Sequence, residues 1–330
     1  MKNIVLLSSA HLHADAYIHE LSTVSDARIV GVYDNDHARA EAAGTRYGIP
    51  VFPALDTALG ASDAAIICSE NIHHEMFALE AIKAGKHVLC EKPLATTPEA
   101  ALRMINAADA AGVLLMTAFP CRFSPAYQQF KQLVNSGAIG EIRALRGTNQ
   151  GMCPGGWFVQ KELSGGGAVT DHTVHVTDLL RDLTGSEVES VYCELGNGLL
   201  HGDFEDTGVV TLEFEKDVFA TLDASWSRPK SFTTWGNVTL YAVGSKGTLE
   251  MDMFNQEGML YSDIKGKVGV QNWGSSIDRG MVAAFVESLL SGTLHEKAAS
   301  GTDGLRAVEV VEAAYESTIA LQPAKVNHRT

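Results

Sequence analysis

The sequence predicts an α/β fold: a doubly wound parallel sheet first, then an α+β domain on an open, mostly antiparallel sheet. Three observations predict it. Apolar strand-like runs alternate with helical stretches up to about residue 120. From Glu187 to Tyr261 the chain is mostly strands joined by short turns, and two helical stretches close it.

Ile4–Leu7 is four apolar residues, a buried strand, and Ala14–Leu21 reads as a helix after it. Arg28–Tyr33 is a second strand. His37–Tyr47, rich in Ala, Arg and Glu, is a helix that Gly48 closes from the C′ position. Ala64–Cys68 is strand, His73–Ala84 helix ended by Gly85, and Val88–Cys90 strand. Thr97 then offers an N-cap and Pro98 a first helical residue, opening a helix that Gly112 closes before the strand Val113–Met116. A junction near Phe119-Pro120 divides residues 1–120 from 121–330. Beyond it come a helix at Pro125–Asn135, a strand at Glu141–Thr148, and Gly165-Gly-Gly167 before a helix at Ala168–Leu183 with Gly185 past its end. The last helices are placed near Arg279–Leu290 and Thr302–Leu321, with hairpin turns at Glu215–Asp217 and Gly244–Gly247.

A net charge of −15 argues against a nucleic-acid partner, which requires a basic face, and disfavours an anionic membrane surface. Five scattered cysteines without a C-x-x-C pair suit a reducing compartment. Four apolar residues after Met1-Lys2-Asn3 are too few for a signal peptide, so a cytoplasmic protein is expected.

Lys92, in His87-Val-Leu-Cys-Glu-Lys-Pro93, stands at the carboxyl end of a strand that Pro93 terminates. Ligands of open α/β sheets bind along that edge. Asp34 follows the second strand, where an acidic residue accepts from ribose hydroxyls and repels a 2′-phosphate. Asn35 and Asp36 come next, so NAD is expected over NADP. The glycine fingerprint that should precede the first helix is absent; Ser8-Ser-Ala10-His11-Leu-His13 stands in its place. Asp171, His175 and Asp178 are spaced to share one face of a helix, with His172 pointing elsewhere. A carboxylate one turn from an imidazole can fix its tautomer, as a general base requires. A surface ion pair explains the same spacing. A metal is not expected there, because no further ligand clusters with the pair.

These pieces together resemble the Gfo/Idh/MocA family of NAD(P)-dependent oxidoreductases, which act on sugars, cyclitols and related polyols. The likeness runs over nearly the whole chain. It is carried by Ser69-Glu-Asn71-Ile-His73-His74, Ala84 to Pro93 with Glu91-Lys92-Pro93, Arg122-Phe-Ser-Pro125, Gly165-Gly-Gly167 and Asp171-x-x-x-His175. The resemblance implies an N-terminal Rossmann domain and a C-terminal domain whose large open sheet commonly makes a homodimer or homotetramer contact. It implies cofactor contacts from Ser8, Ser9, Ala10, His11, Asp34, Ser69, Asn71, His74, Glu91, Lys92 and Arg122. Substrate contacts fall to Lys92, Trp157, Asp171, His172 and His175, with Trp157 covering the substrate. Lys92 would bond the reacting hydroxyl, His175 would take its proton, and Asp171 would orient a neighbouring hydroxyl.

The function expected is hydride transfer between a secondary hydroxyl of a sugar, sugar acid or cyclitol and NAD. A pH-dependent rise in rate through neutrality would mark the histidine base. Two alternatives stand beside it: a redox-neutral enzyme that retains NAD, and a non-catalytic sensor of dinucleotide or sugar, which the altered glycine loop would favour.

Overall fold

The computed structural model describes every residue except Lys265 and Trp273, and in the hairpin around them seven further side chains are left undescribed. The elements run β1 (Lys2–Leu7), α1 (Ala14–Leu21), β2 (Ala27–Tyr33), α2 (His37–Tyr47), α3 (Leu55–Gly60), β3 (Ala64–Ile67), α4 (His74–Lys83), β4 (His87–Cys90), α5 (Pro98–Ala111) and β5 (Leu115–Thr117). They continue with α6 (Pro125–Asn135), β6 (Ile142–Gly151), α7 (Lys161–Ser164), α8 (Ala168–Thr184), β7 (Val188–Gly196), β8 (Thr207–Phe214) and β9 (Val218–Ser225). Last come β10 (Gly236–Gly244), β11 (Thr248–Asp252), the hairpin β12 (Glu257–Ser262) and β13 (Lys267–Asn272), α9 (Ile277–Ser291), β14 (Ala299–Ser300), α10 (Gly301–Ala320) and β15 (Ala324–Lys325).

Local chemistry sets the expected boundaries. The Thr97 hydroxyl accepts from the Ala100 amide, Pro98 opens α5, and Gly112 ends it in the left-handed conformation. Asp36 caps α2 in the same way.

The first sheet has the order β14-β5-β4-β3-β1-β2, parallel apart from β14. Ile4 and Leu6 of β1 enter one core cluster while Val5 and Leu7 enter another. Successive side chains leave opposite faces of a strand, so both faces of this sheet are covered. In register, Leu7 lies beside Tyr33 and Ile67, and Ile67 beside Cys90. The residues that follow each strand, Ser8, Asp34, Ser69 and Glu91, therefore share one edge.

The second sheet has the order β11-β10-β6-β9-β8-β7-β15, antiparallel except for the pair β6–β9. One face packs on α8 and α10. Val210, Leu212 and Phe214 of β8 are buried there, while Val209 and Phe219 are exposed on the other face. Both expected sheets are present. The chain does not divide cleanly at residue 120, because Met281, Val282 and Phe285 of α9 join the core of the first sheet and β14 extends its edge. That return crosses a large sequence distance, which periodicity does not encode. No described helix is long and apolar enough to cross a membrane.

Candidate active site

The loop after β1 opens on Ser8, where the expected fingerprint has its first glycine. Ser8 adopts φ +65°, a left-handed conformation that costs a side-chain residue about 1 kcal/mol. Its hydroxyl donates to Asp34 Oδ2 at 2.9 Å, and the Ser9 amide donates to the same oxygen at 2.9 Å. The Ser8 hydroxyl is thus committed to the loop's own anchor.

Asp34 is buried, and both its oxygens are occupied. Arg39 grips it with Nε at 2.7 Å and Nη2 at 2.8 Å, and also reaches Glu70 at 2.8 Å. Burial raises the cost of ionising Asp34, yet Arg39 and the amides of Asp36 and Ser9 hold its carboxyl below the usual range. Asn35 and Asp36 do follow Asp34 in sequence. The first turns of α2 bring Arg39 back beside it.

Lys92 projects from the end of β4 toward the start of α8. Its Nζ lies 2.5 Å from Asp171 Oδ1, with both side chains buried. Trp226 Nε1 donates to Asp171 Oδ2 at 3.1 Å, and His172 Nε2 lies 3.3 Å from the same oxygen. Burial opposes ionisation of Asp171, but Lys92, His172 and Trp226 outweigh it and hold the carboxyl well below its usual range. His175 sits one helical turn on. Burial, reinforced by Lys92, pushes its pKa well below the ordinary imidazole value, so the ring is neutral near pH 7. Phe119 packs edge-on to it, and Cys121 Sγ is 4.0 Å from its Nδ1.

The expected Asp171–His175 partnership is not formed; the carboxylate turns to Lys92 across the junction between the two sheets. His172, expected to point elsewhere, faces the same cavity. Asp178 leaves the group altogether and pairs bidentately with Arg122 at 2.7 and 2.8 Å, deep in the core. Arg122 also meets Asp303 and is spent on joining α8 to α10, so it does not reach the cavity.

Lys92, Asp171, His172 and His175 line a cavity of about 330 Å³, together with His11 and His13 from the loop. Other expected contacts are used differently. His74 is fully buried, with its nitrogens 2.9 Å from the Pro93 carbonyl and 3.3 Å from that of Ser69, where it braces the turn carrying Lys92. Asn71 donates to the Ser164 carbonyl at 2.8 Å, and the Ser69 hydroxyl donates to the Glu70 carbonyl. Trp157 donates to the Ala10 carbonyl at 3.0 Å and stacks on Phe158, so Phe158 rather than Trp157 faces the cavity.

Residues beyond the expected set complete the site. Asn149 lines the cavity and donates to the His172 carbonyl at 3.2 Å. Tyr17 and His13 both bond Glu91 Oε1, the latter at 2.9 Å. The His11-x-His13 spacing was visible in the sequence, whereas Trp226 and Asn149 carried no local signal.

Two family models match in tandem: the oxidoreductase family with an NAD-binding Rossmann fold over residues 8–119, and the GFO/IDH/MocA C-terminal domain over residues 127–250. The inositol 2-dehydrogenase 2 of Saccharopolyspora erythraea is 31% identical over 329 residues, spanning 96% of this chain and 92% of that protein. The chain belongs to the Gfo/Idh/MocA oxidoreductase family. The D-glucoside 3-dehydrogenase of Escherichia coli is 34% identical over 225 residues, 64% of this chain and 62% of its own. A structure of scyllo-inositol dehydrogenase from Lactobacillus casei, solved with NAD(H) and scyllo-inositol, superposes with a TM-score of 0.84 at 22% identity, covering 99% of both chains.

The residues of this family member fit NAD at both ends. Asp34 follows β2 with a depressed pKa; burial opposes ionisation of Glu91, which follows β4, but the bonded His13 holds its carboxyl well below the usual range. Between them the left-handed turn at Ser8 is kept, which leaves the start of α1 facing the same edge.

Proposed function

We propose that this protein oxidises a secondary hydroxyl of a cyclitol, sugar or sugar acid, reversibly, with NAD as the hydride acceptor. The observation that carries this reading is the convergence of Lys92, Asp171 and His175, from two different sheets' supporting elements, on one cavity beside the cofactor edge. Bound NAD supplies the hydride acceptor. The chain's own groups manage the proton and the position of the alcohol.

Lys92 donates to the reacting oxygen and stabilises its developing negative charge. Asp171 fixes that ammonium and, beside His172, receives a neighbouring hydroxyl. His175 is neutral and lines the cavity, so it accepts the hydroxyl proton as the hydride leaves the same carbon. Glu91, with Tyr17 behind it, borders the nicotinamide end, and Asp34 takes the adenosine ribose after exchanging Arg39 for its hydroxyls. The apolar groups on the outer face of the second sheet, Val209, Phe219 and Val243, support a homo-oligomer through that face. The cysteine pattern supports a reducing, cytoplasmic setting.

The test is an absorbance record of NADH formation across a panel of cyclitols, aldoses, glycosides and sugar acids, with NAD and with NADP. Turnover of at least one polyol with NAD is expected. No reduction with any of them, together with no binding of either dinucleotide at millimolar concentration, would overturn the reading in favour of a sensor.

A further inference from the structure

We propose that His11, His13 and Glu91 form a site for a divalent transition-metal ion of the zinc class, in the wall of the cavity that holds Lys92 and Asp171. One ligand atom from each of the three lies within 4.8 Å of the others. His13 Nδ1 is 2.9 Å and His11 Nδ1 3.7 Å from Glu91 Oε1. Two ligands held tetrahedrally at about 2.0–2.1 Å from one zinc ion stand roughly 3.4 Å apart, so the two spacings bracket the requirement.

The donor set selects the ion. Two neutral imidazoles and one carboxylate suit Zn²⁺, Co²⁺ or Ni²⁺, whereas Mg²⁺ and Ca²⁺ demand oxygen ligands. Three protein ligands leave a fourth position, and the two histidines line the cavity. That position therefore accepts a water or an oxygen of the molecule bound there. Glu91 is already oriented from behind: Tyr17 donates to Oε1, and the Lys92 amide donates to Oε2 at 3.0 Å. Supporting bonds of this kind hold ligating carboxylates in place.

His11 is 2% exposed, and among the described residues its Nε2 has no hydrogen-bond partner while its Nδ1 has a single 3.2 Å bond from the His13 amide. An ion on Nδ1 replaces that one bond and leaves Nε2 as it is. The site also explains the composition of the loop, where imidazoles occupy positions that a fingerprint fills with glycine. It does not rest on the dehydrogenase reading.

The experiment uses the full-length protein stripped with a chelator, then titrated with CoCl₂ by visible absorbance and with ZnCl₂ by calorimetry. One equivalent is expected to bind with a dissociation constant below about 10 µM. The Co²⁺ complex should show d–d bands without a thiolate charge-transfer band, which keeps the cysteines apart from the site. His11→Ala and His13→Gly should each weaken binding at least about tenfold with the circular dichroism unchanged. If a variant unfolds, zinc-edge X-ray absorption of the wild type reads the ligands directly, and imidazole scattering with no sulfur supports the site. No cobalt bands up to millimolar metal, a thiolate band, or a tight equivalent untouched by both substitutions overturns the proposal.

Discussion

Lys92 and Asp171 lie 79 positions apart and meet at 2.5 Å, both buried, tying the end of β4 to the first turn of α8. The pair holds the junction between the two sheets and places a cation in the cavity, so structural and chemical consequences of changing it must be separated. Lys92→Ala removes the proposed transition-state contact and leaves a buried carboxylate without its cation. Turnover is expected to fall by roughly two orders of magnitude or more, and stability by about 3–5 kcal/mol. The double change Lys92→Met with Asp171→Leu should restore most of the stability and none of the activity. Urea unfolding and steady-state kinetics on the same preparations check both. Near-normal turnover of Lys92→Ala would remove the lysine from the chemistry.

The pH profile follows from the burial of His175. Its pKa is depressed, so the proposed base is already unprotonated through neutrality. The oxidation rate (kcat/KM) should be flat near pH 7 and fall only in acid, in place of the neutral-range rise that an ordinary histidine predicts. In His175→Asn the acid limb should vanish with most of the activity. An unchanged limb in the variant would assign it to another group.

Acid stability follows from the same burial. His11, His74, His172 and His175 all have folded pKa values below the ordinary 6.5, with His11 pushed down to about 3. Below pH 6.5 the unfolded chain binds protons that these four folded histidines refuse; they outnumber His13, Asp178 and Asp278, whose raised folded pKa values act the other way, so stability falls as pH falls. Each such group contributes a slope of about 1.4 kcal/mol per pH unit between its unfolded and folded pKa. Thermal unfolding from pH 8 to pH 4 should show a plateau and then a steep loss beginning near 6.5. A melting temperature independent of pH down to 5 would contradict it.

Cofactor choice rests on Asp34 and the arginine that grips it. NAD should bind more tightly than NADP, because Asp34 repels a 2′-phosphate. Arg39 partly neutralises that repulsion, so Arg39→Ala should widen the NAD preference by about tenfold. Calorimetry with both dinucleotides on both proteins measures it. A wild-type preference for NADP would show that Arg39 leaves Asp34 to take the phosphate.

Ser8 holds a glycine conformation at φ +65° while donating to Asp34. Ser8→Gly relieves the backbone cost of about 1 kcal/mol and loses a hydrogen bond of similar worth, so its melting temperature should hardly move. Combined with Ala10→Gly, which clears a methyl group from the approach to the loop amides, it should tighten NAD binding. Equal affinity in the double variant would mean the loop no longer carries the pyrophosphate.

The sequence alone determined the elements and the edge on which the chemistry lies. Strand ends at Ser8, Asp34 and Glu91 were legible because a parallel sheet aligns the carboxyl ends of apolar runs, and Thr97-Pro98 and Gly112 wrote the bounds of α5 in local chemistry. Lys92, Asp171 and His175 were legible as a set because a strand end and a helix spacing each leave a local pattern. The partners were not. Helix spacing paired Asp171 with His175 and kept Asp178 on their face, but a buried carboxylate goes to the cation that compensates its desolvation, so Asp171 took Lys92 and Asp178 took Arg122. Arg39 reaching Asp34, Trp226 reaching Asp171, and α9 returning to the first core join residues whose pairing no periodicity records. Those contacts exist because burial forces each polar group to find whatever partner the packed chain brings within reach, and only the tertiary structure decides which one that is.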